Sequence, residues 1–230
     1  DVIIHLAAIV GESNCINYKD NVNDINYEAT RFLTRVCNKN INKKLIFLST
    51  CSNYGKNNDI VTETSILNPL GLYASSKIKA EQYIINNCKS KWLILRMSTL
   101  FGVSYKMRND ITINQFIHDY KFNNGLEIYG PKTFRPYLHV FDASEIIFHL
   151  LDKNLIGIYN VGYDHLNYKK SDIVQIIIDL LGECRLEYSD YNDPRDYKVS
   201  FAKLHDALNC RSKYSLEKGI QELIKYYNVI

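Results

Sequence analysis

The chain has 230 residues, of which 46% are hydrophobic, and this length and composition predict a globular protein with a substantial core. The formal net charge is +3, and the 28 basic residues form no run of five or six, which argues against nucleic acid as a partner. No stretch reaches about 18 uncharged apolar residues and no signal-peptide pattern occurs, so we expect no membrane partner.

The first half of the chain alternates predicted strands and helices. Strands are expected where apolar residues run together, and helices where they recur at helical spacing. A polar stretch with Asn68-Pro69 predicts a loop. This alternation predicts a parallel, doubly wound α/β sheet. The predicted elements, in order, are a strand over 1–6, a helix over about 24–38, a strand over 45–50, a loop over 56–72, a helix over 73–88 and a strand over 92–96.

The second half of the chain lacks this strand-helix rhythm and contains four predicted helices. The first spans about 110–122. Asp142 followed three residues later by Glu145 predicts the N-cap of the second. The third runs from Ser171 to about Leu181 and is ended by Gly182, as a C-terminal glycine would do. The fourth spans about 215–227.

Tyr73 and Lys77 are the leading catalytic candidates. In a helix over 73–88 they stand at i and i+4 and therefore project from one face. An ammonium close to a phenol lowers the phenol pKa from about 10, which is the property of a general base. Thr50 ends the preceding strand, at the edge of a parallel sheet where ligands bind. A second Tyr-x-x-x-Lys match, Tyr214 with Lys218, is interpreted as a solvated face of the C-terminal helix.

The cysteines and two histidines are interpreted as structural. The six cysteines show no C-x-x-C pair and no metal spacing with histidine, which indicates reduced thiols and a cytoplasmic location. His5 and His139 each lie in an apolar run and are expected to be core histidines. No carboxylate and histidine cluster has ligand spacing, so we predict no metal site.

Several stretches together resemble an extended short-chain dehydrogenase/reductase of the NAD-dependent nucleotide-sugar epimerase/dehydratase type. They occur in the family's order and cover nearly the whole chain. The stretches are Asp1 to Ala8 with Gly11, Ser49 to Gly55, Tyr73 to Lys77 with Glu81, Leu95 to Gly102, Arg135 to Asp142, Tyr159 to Gly162, and Asp193 to Tyr197.

The resemblance implies a Rossmann-like fold with a smaller, interleaved α/β substrate lobe. The partial dinucleotide-binding lobe is expected over 1–102 and 134–165, and the substrate lobe over 103–133 and 166–230. No G-x-x-G-x-x-G or G-x-G-x-x-G occurs in the 230 residues. Because the family has three strands and this phosphate loop ahead of the first predicted strand, we interpret the chain as an N-terminally truncated fragment that is inactive by itself.

The resemblance also implies roles for individual residues. Thr50 would polarise the reacting oxygen, Tyr73 would act as the base, and Lys77 would also hold the nicotinamide ribose. Leu6, Ala7 and Ala8 would join Tyr73 and Lys77 in binding NAD, with NADP left open. The residues expected to bind the nucleotide-sugar substrate are Thr99, Asn114, Arg135 and Arg195.

Two departures from the family bear on the reaction. Many members carry Asn at the place of Thr99, which leaves the sugar and the nucleotide open. Many 4,6-dehydratases have Asp-Glu where this chain has Cys51-Ser52, and a thiol with a hydroxyl would remove water poorly. We therefore expect an NAD(P)-dependent epimerase. The alternatives are a reductase or 4,6-dehydratase of the same family, or a non-catalytic nucleotide-binding regulator. The expected assembly is a homodimer through the helices near 24–38 and 73–88.

Overall fold

A four-stranded parallel sheet forms the centre of the protein. The computed structural model describes residues 1–189 and 193–229, so the predicted substrate-lobe range 166–230 extends over a few residues outside the described part. The strands are hydrogen-bonded in the order β1-β2-β4-β8, and all their pairings are parallel. The predicted α/β class is confirmed. Their bounds are β1 Val2–His5, β2 Lys44–Thr50, β4 Lys91–Met97 and β8 Gly157–Val161.

Seven further strands complete the described part. Residues 56–72, predicted to be a loop, contain β3, which pairs in parallel with β11 because the two polar segments bury Val61 and Val199 between them. The other pairings are β5 with β7, β7 with β9, and β6 with β10. Their bounds are β3 Lys56–Val61, β5 Thr99–Phe101, β6 Gly125–Ile128, β7 Phe134–His139, β9 Asn167–Lys169, β10 Arg185–Tyr188 and β11 Asp196–Val199.

Nine α-helices occur in the described part, and most match the prediction within two residues. Gly182, with φ of 94°, ends α7 as predicted. The helices are α1 Glu12–Asn17, α2 Lys19–Val22, α3 Ala29–Asn38, α4 Leu72–Asn87, α5 Thr112–Phe122, α6 Val140–Leu151, α7 Lys170–Leu181, α8 Ala202–Leu208 and α9 Leu216–Val229.

Two helix predictions need correction. The helix predicted over 24–38 begins with a π-helical stretch, Asn23–Glu28, and only Ala29–Asn38 is α-helical. Within this wider turn, the side chain of the buried Asn26 hydrogen-bonds the backbone N and O of Ile9. Asp142 is not an N-cap, because the helix already begins at Val140. Its carboxylate instead accepts hydrogen bonds from the backbone of residues 213 and 214.

The sheet is covered on both faces, which is why its strands are apolar on both sides. Leu45, Phe47 and Ile94 pack with α3 and α4 on one face. Ile46, Leu93 and Leu95 belong to the core on the other face, with α6 and α8. A further apolar core joins α5, α7 and α9 with β6 and β7. No helix in residues 1–189 and 193–229 is long and apolar enough to cross a membrane.

Candidate active site

A cleft of about 700 Å³ opens where the strands of the parallel sheet end. Its walls include the segments that follow β1, β2 and β4, and residues from β7 and the start of β11. The volume lies in the range of small-molecule sites, and the carboxyl edge of a parallel sheet is where such sites form. Of the predicted site residues, the cleft is lined by Leu6, Ala8, Thr50, Tyr73, Lys77, Thr99, Asn114, Arg135 and Arg195. Ala7 lies outside this lining.

Thr50 and Tyr73 meet in this cleft. Thr50 is the last residue of β2, and its hydroxyl oxygen accepts a hydrogen bond from Ser52 N at 3.1 Å. The side chain of Thr50 also interacts with the phenol of Tyr73 and acts to lower its pKa. Tyr73 is the second residue of α4, so the strand end and the helix start deliver the two groups to one point.

The expected effect of Lys77 on Tyr73 is wrong. Burial raises the pKa of Tyr73 above its ordinary value, and the bond from Thr50 only partly opposes this. The positive charge that acts to lower this pKa is that of Arg108, which lies in the cleft wall. Sequence spacing shows which groups share a helix face, but it does not show how strongly the phenol is removed from water.

Lys77 is held in the wall of the cleft by the aromatic ring of Phe47. Its Nζ lies 4.1 Å from the ring centroid, and the residue is 2% exposed. Burial lowers the pKa of Lys77 to about 8, although the charge of Glu81 opposes this. Burial and the charge of Lys77 together lower the pKa of His5 to about 4, so His5 is neutral at physiological pH.

A buried ion pair fixes α4 to the sheet. Glu81 on α4 accepts from Arg96 Nη2 on β4 at 2.7 Å, and both side chains are at most 3% exposed. The same carboxylate accepts from Ser49 Oγ at the end of β2 and from Asn53 Nδ2 at 2.8 Å. These bonds join one face of α4 to two strand ends, so Tyr73 and Lys77 stand on a rigid helix.

Arg135 and Arg195 converge on one buried carboxylate, that of Asp193. Arg135 Nη2 donates to Asp193 Oδ2 at 2.8 Å, and Arg195 Nε donates to Oδ1 at 2.9 Å. Lys170 Nζ, 3.1 Å from Oδ2, adds a third cation. Burial alone would raise the pKa of Asp193, but the charges of Arg135 and Arg195 hold it well below its usual range. Three cations against one anion leave a positive cluster at the cleft, which suits an anionic ligand.

Thr99 and Asn114 differ in whether their side chains are available to a ligand. Thr99 lies on β5 and is partly exposed in the cleft. Asn114 is 1% exposed, and its amide donates to Gly102 O at 3.2 Å and accepts from Gly102 N at 3.0 Å. Its side chain is therefore engaged in holding the turn after β5.

Cys51 and Ser52 follow Thr50 at the end of β2 and differ in exposure. Cys51 is 1% exposed, its thiol donates to Arg96 O at 3.2 Å, and burial raises its pKa. It does not line the cleft. Ser52 does line the cleft and bonds the hydroxyl of Tyr197. Neither side chain is an ionised acid or base at neutral pH.

The two histidines are buried, as predicted. His5 Nε2 bonds Thr30 Oγ1 at 3.0 Å. His139 Nε2 lies 2.8 Å from Glu222 Oε2. Across residues 1–189 and 193–229 no group of three or more metal-ligating side chains comes together.

The second Tyr-x-x-x-Lys pair needs partial correction. Tyr214 precedes α9 instead of lying in it, and its ring stacks on His139 with centroids 3.8 Å apart. Lys218 is exposed, with Nζ 4.3 Å from the centroid of that ring. Tyr214 thus covers a buried histidine and is not a solvated face.

Sequence reasoning missed four charged residues at or near the cleft. Glu12 and Arg108 lie in loops or short helices whose local pattern carries no motif. Asp193 is predicted only as part of a stretch, and nothing in the local sequence singles out Lys170. The contacts of Glu12, Asp193 and Lys170 join segments 23 to 61 residues apart, so no local spacing could have shown them.

The chain is similar in sequence to known proteins. The model of the NAD dependent epimerase/dehydratase family matches residues 1–162. A dTDP-D-glucose 4,6-dehydratase of Dictyostelium discoideum is 30% identical over 78% of this chain and 45% of its own length. An uncharacterized UDP-glucose epimerase of Bacillus subtilis is 28% identical over 98% of this chain and 74% of its own. The chain thus spans under half of the first relative and about three quarters of the second.

A solved structure shares the fold over the whole chain. The UDP-glucuronic acid 4-epimerase of Bacillus cereus, in complex with UDP-glucuronic acid and NAD, superposes with a TM-score of 0.88 at 25% identity. The match covers 100% of this chain and 76% of that one.

Proposed function

Because the chain belongs to the NAD dependent epimerase/dehydratase family, we propose that it acts as an NAD(P)-dependent nucleoside-diphosphate-sugar epimerase. The observation that carries the proposal is that Thr50 and Tyr73 meet in a cleft that is also lined by Arg135 and Arg195. A proton-transfer pair and a cationic cluster in one cleft suit a nucleotide sugar.

Tyr73 and Thr50 carry the proton chemistry. The phenol of Tyr73 exchanges a proton with a sugar hydroxyl, and the hydroxyl of Thr50 donates a hydrogen bond to the same oxygen as it becomes a carbonyl. When bound, NAD would supply the acceptor and donor of the hydride of the sugar carbon. Leu6, Ala7 and Ala8, which follow β1 at the carboxyl edge of the sheet, would hold NAD with Lys77.

The presence of Arg135 and Arg195 supports a nucleoside diphosphate as the part of the substrate that these residues bind. The guanidinium fork binds phosphate through two parallel bonds. Arg195 is 35% exposed and reaches the cleft, whereas Arg135 is held over the ring of Tyr197, 5.0 Å from its centroid. Thr99 and Asn114 are proposed to complete the substrate site, Asn114 by shaping the turn at Gly102.

Epimerisation is favoured over dehydration by the state of Cys51 and Ser52. Removal of water needs an acid and a base next to the sugar, and a buried thiol bonded to Arg96 O supplies neither. Epimerisation needs only the proton pair, because the hydride leaves and returns on the same cofactor.

The test is product analysis with the whole protein. UDP-, dTDP-, GDP- and CDP-sugars are incubated with NAD, and the products are separated as isomers while the nicotinamide absorbance is followed. We expect an isomer of the substrate and no net reduction of NAD. A product that has lost water, or reduced cofactor formed in step with product, would contradict the epimerase proposal.

We also propose a homodimer and a cytoplasmic location. The dimer is supported by exposed apolar side chains on the predicted helices, with Ile25 38%, Phe32 64% and Ile85 43% exposed. Phe32→Asp is expected to give a monomer in analytical ultracentrifugation, and an unchanged mass would rule out this surface. The location is supported by the six cysteines, all of which are free thiols.

A further inference from the structure

The helix that carries Tyr73 and Lys77 begins without a capping side chain of its own. α4 starts at Leu72, and the residue before it is Gly71, which has no side chain to accept a hydrogen bond. The first amides of a helix have no partner within the helix, so another group must bind them or leave them to water.

Glu12 supplies that group from a distant segment. Its Oε1 accepts from Leu72 N at 2.7 Å and its Oε2 accepts from Tyr73 N at 3.1 Å. One carboxylate therefore binds two successive amides, and one of them belongs to the residue whose phenol is at Thr50. The negative charge also lies at the positive end of the helix dipole.

The close approach of this carboxylate explains the glycine at position 71. A Cβ on Gly71 would collide with Glu12 Oε2, so a side chain at this position would push the Glu12 side chain away from the two amides. The backbone of Gly71 is extended, with φ of 177°, so any residue could adopt its conformation. Gly71 therefore leaves room for the carboxylate of Glu12.

Glu12 is itself held in place. It is the first residue of α1, whose first turn is closed by the bond from Cys15 N to Gly11 O at 3.0 Å. A second link runs in parallel, because Asn26 Nδ2 bonds both Ile9 O and Ser76 Oγ at 3.0 Å. The segment 9–12 is thus joined to the first turns of α4 at two points. Glu12 makes no ion pair within residues 1–189 and 193–229.

We propose that Glu12 is a positioning residue for the reaction, which fixes the first turn of α4 so that the phenol of Tyr73 stays within hydrogen-bond distance of Thr50. This inference rests on the proposed function, because it assigns a role in the same reaction. Small displacements of a reacting group cost much rate, about 10²-fold for about 1 Å.

Asp142 offers a matched control. Its Oδ1 accepts from Lys213 N at 3.1 Å and its Oδ2 from Tyr214 N at 3.2 Å, so it also binds two successive amides of a distant segment. Asp142 does not line the cleft.

Glu12→Ala is expected to lower kcat about 10- to 100-fold with KM changed less than about threefold. Asp142→Ala is expected to lower stability and leave kcat unchanged, and Glu12→Gln and Asp142→Asn replace any Ala variant that does not fold.

Hydrogen exchange separates this inference from the proposed function. In the Glu12 variant, amide exchange is expected to rise in residues 71–77 and stay unchanged in 213–219, and the Asp142 variant should show the reverse. If the parent protein turns over no nucleotide sugar, the proposed function fails, and the exchange result alone decides the role of Glu12. Unchanged exchange in 71–77, or equal losses of kcat in the two variants, would overturn the inference.

Discussion

Asp193→Asn tests whether the cationic cluster depends on one buried carboxylate. The carboxylate accepts from Arg135, Lys170 and Arg195, and its side chain is 2% exposed. Arg195 is 35% exposed and can turn to water when its partner is lost. Arg135 and Lys170 cannot, because their side chains are 6% and 1% exposed.

The size of the expected stability loss follows from Arg135 and Lys170, which stay buried without their carboxylate partner. Breaking a buried ion pair by removing one partner costs about 3 to 5 kcal/mol, and an amide keeps only one acceptor for three donors. We expect a loss of that size in the free energy of unfolding, measured by urea denaturation with the slope unchanged. Asp110→Asn is the control, since its pair with Arg108 is partly exposed and is expected to contribute less than about 1 kcal/mol. A loss below about 1 kcal/mol in Asp193→Asn would refute the role of the carboxylate.

Two further predictions concern the same cluster. Because the folded-state pKa of Asp193 lies below its unfolded value of about 3.9, its contribution to stability is present above that value and is lost as pH falls below about 4. Urea midpoints between about pH 5 and 2 should therefore fall less steeply in Asp193→Asn than in the parent, and parallel curves would contradict this. Arg135→Ala and Arg195→Ala should each weaken nucleotide-sugar binding by about 1.5 to 3 kcal/mol in calorimetry, with NAD affinity unchanged. Arg185→Ala changes an exposed arginine in a surface ion pair, so this variant should bind the nucleotide sugar with the parent affinity. If all three variants bind the nucleotide sugar equally tightly, Arg135 and Arg195 are not part of the substrate site.

The sequence was informative where the signal is local. Strand ends and helix faces follow from spacing, which places Thr50 at a strand end and Tyr73 with Lys77 on one helix face. The family resemblance is what assigns Thr50 and Tyr73 to one site. The π-helical stretch at 23–28 was not predictable, because the hydrogen bond that it accommodates joins Asn26 to Ile9, 17 residues away. The pKa of Tyr73 was predicted in the wrong direction, because burial depends on the whole fold.

Long-range carboxylates account for most of what sequence reasoning missed. Glu12 binds amides about 60 residues further along the chain, and Asp142 binds amides about 70 residues further. Acidic residues before an apolar run resemble helix caps, which is how Asp142 was interpreted. Only the folded chain shows that Asp142 holds another segment and that Glu12 caps a helix to which it does not belong.

The most direct test of the account compares Tyr73→Phe with Tyr214→Phe. Both substitutions remove one phenol oxygen from a Tyr-x-x-x-Lys pair, and the stacked ring of Tyr214 on His139 is retained. In the whole protein, Tyr73→Phe should lower kcat for epimerisation by about 10² to 10⁴ while the melting temperature and NAD binding stay unchanged. Tyr214→Phe should keep the parent kcat. Full activity in Tyr73→Phe, or equal losses from both substitutions, would contradict the assignment of Tyr73 as the proton-transfer group.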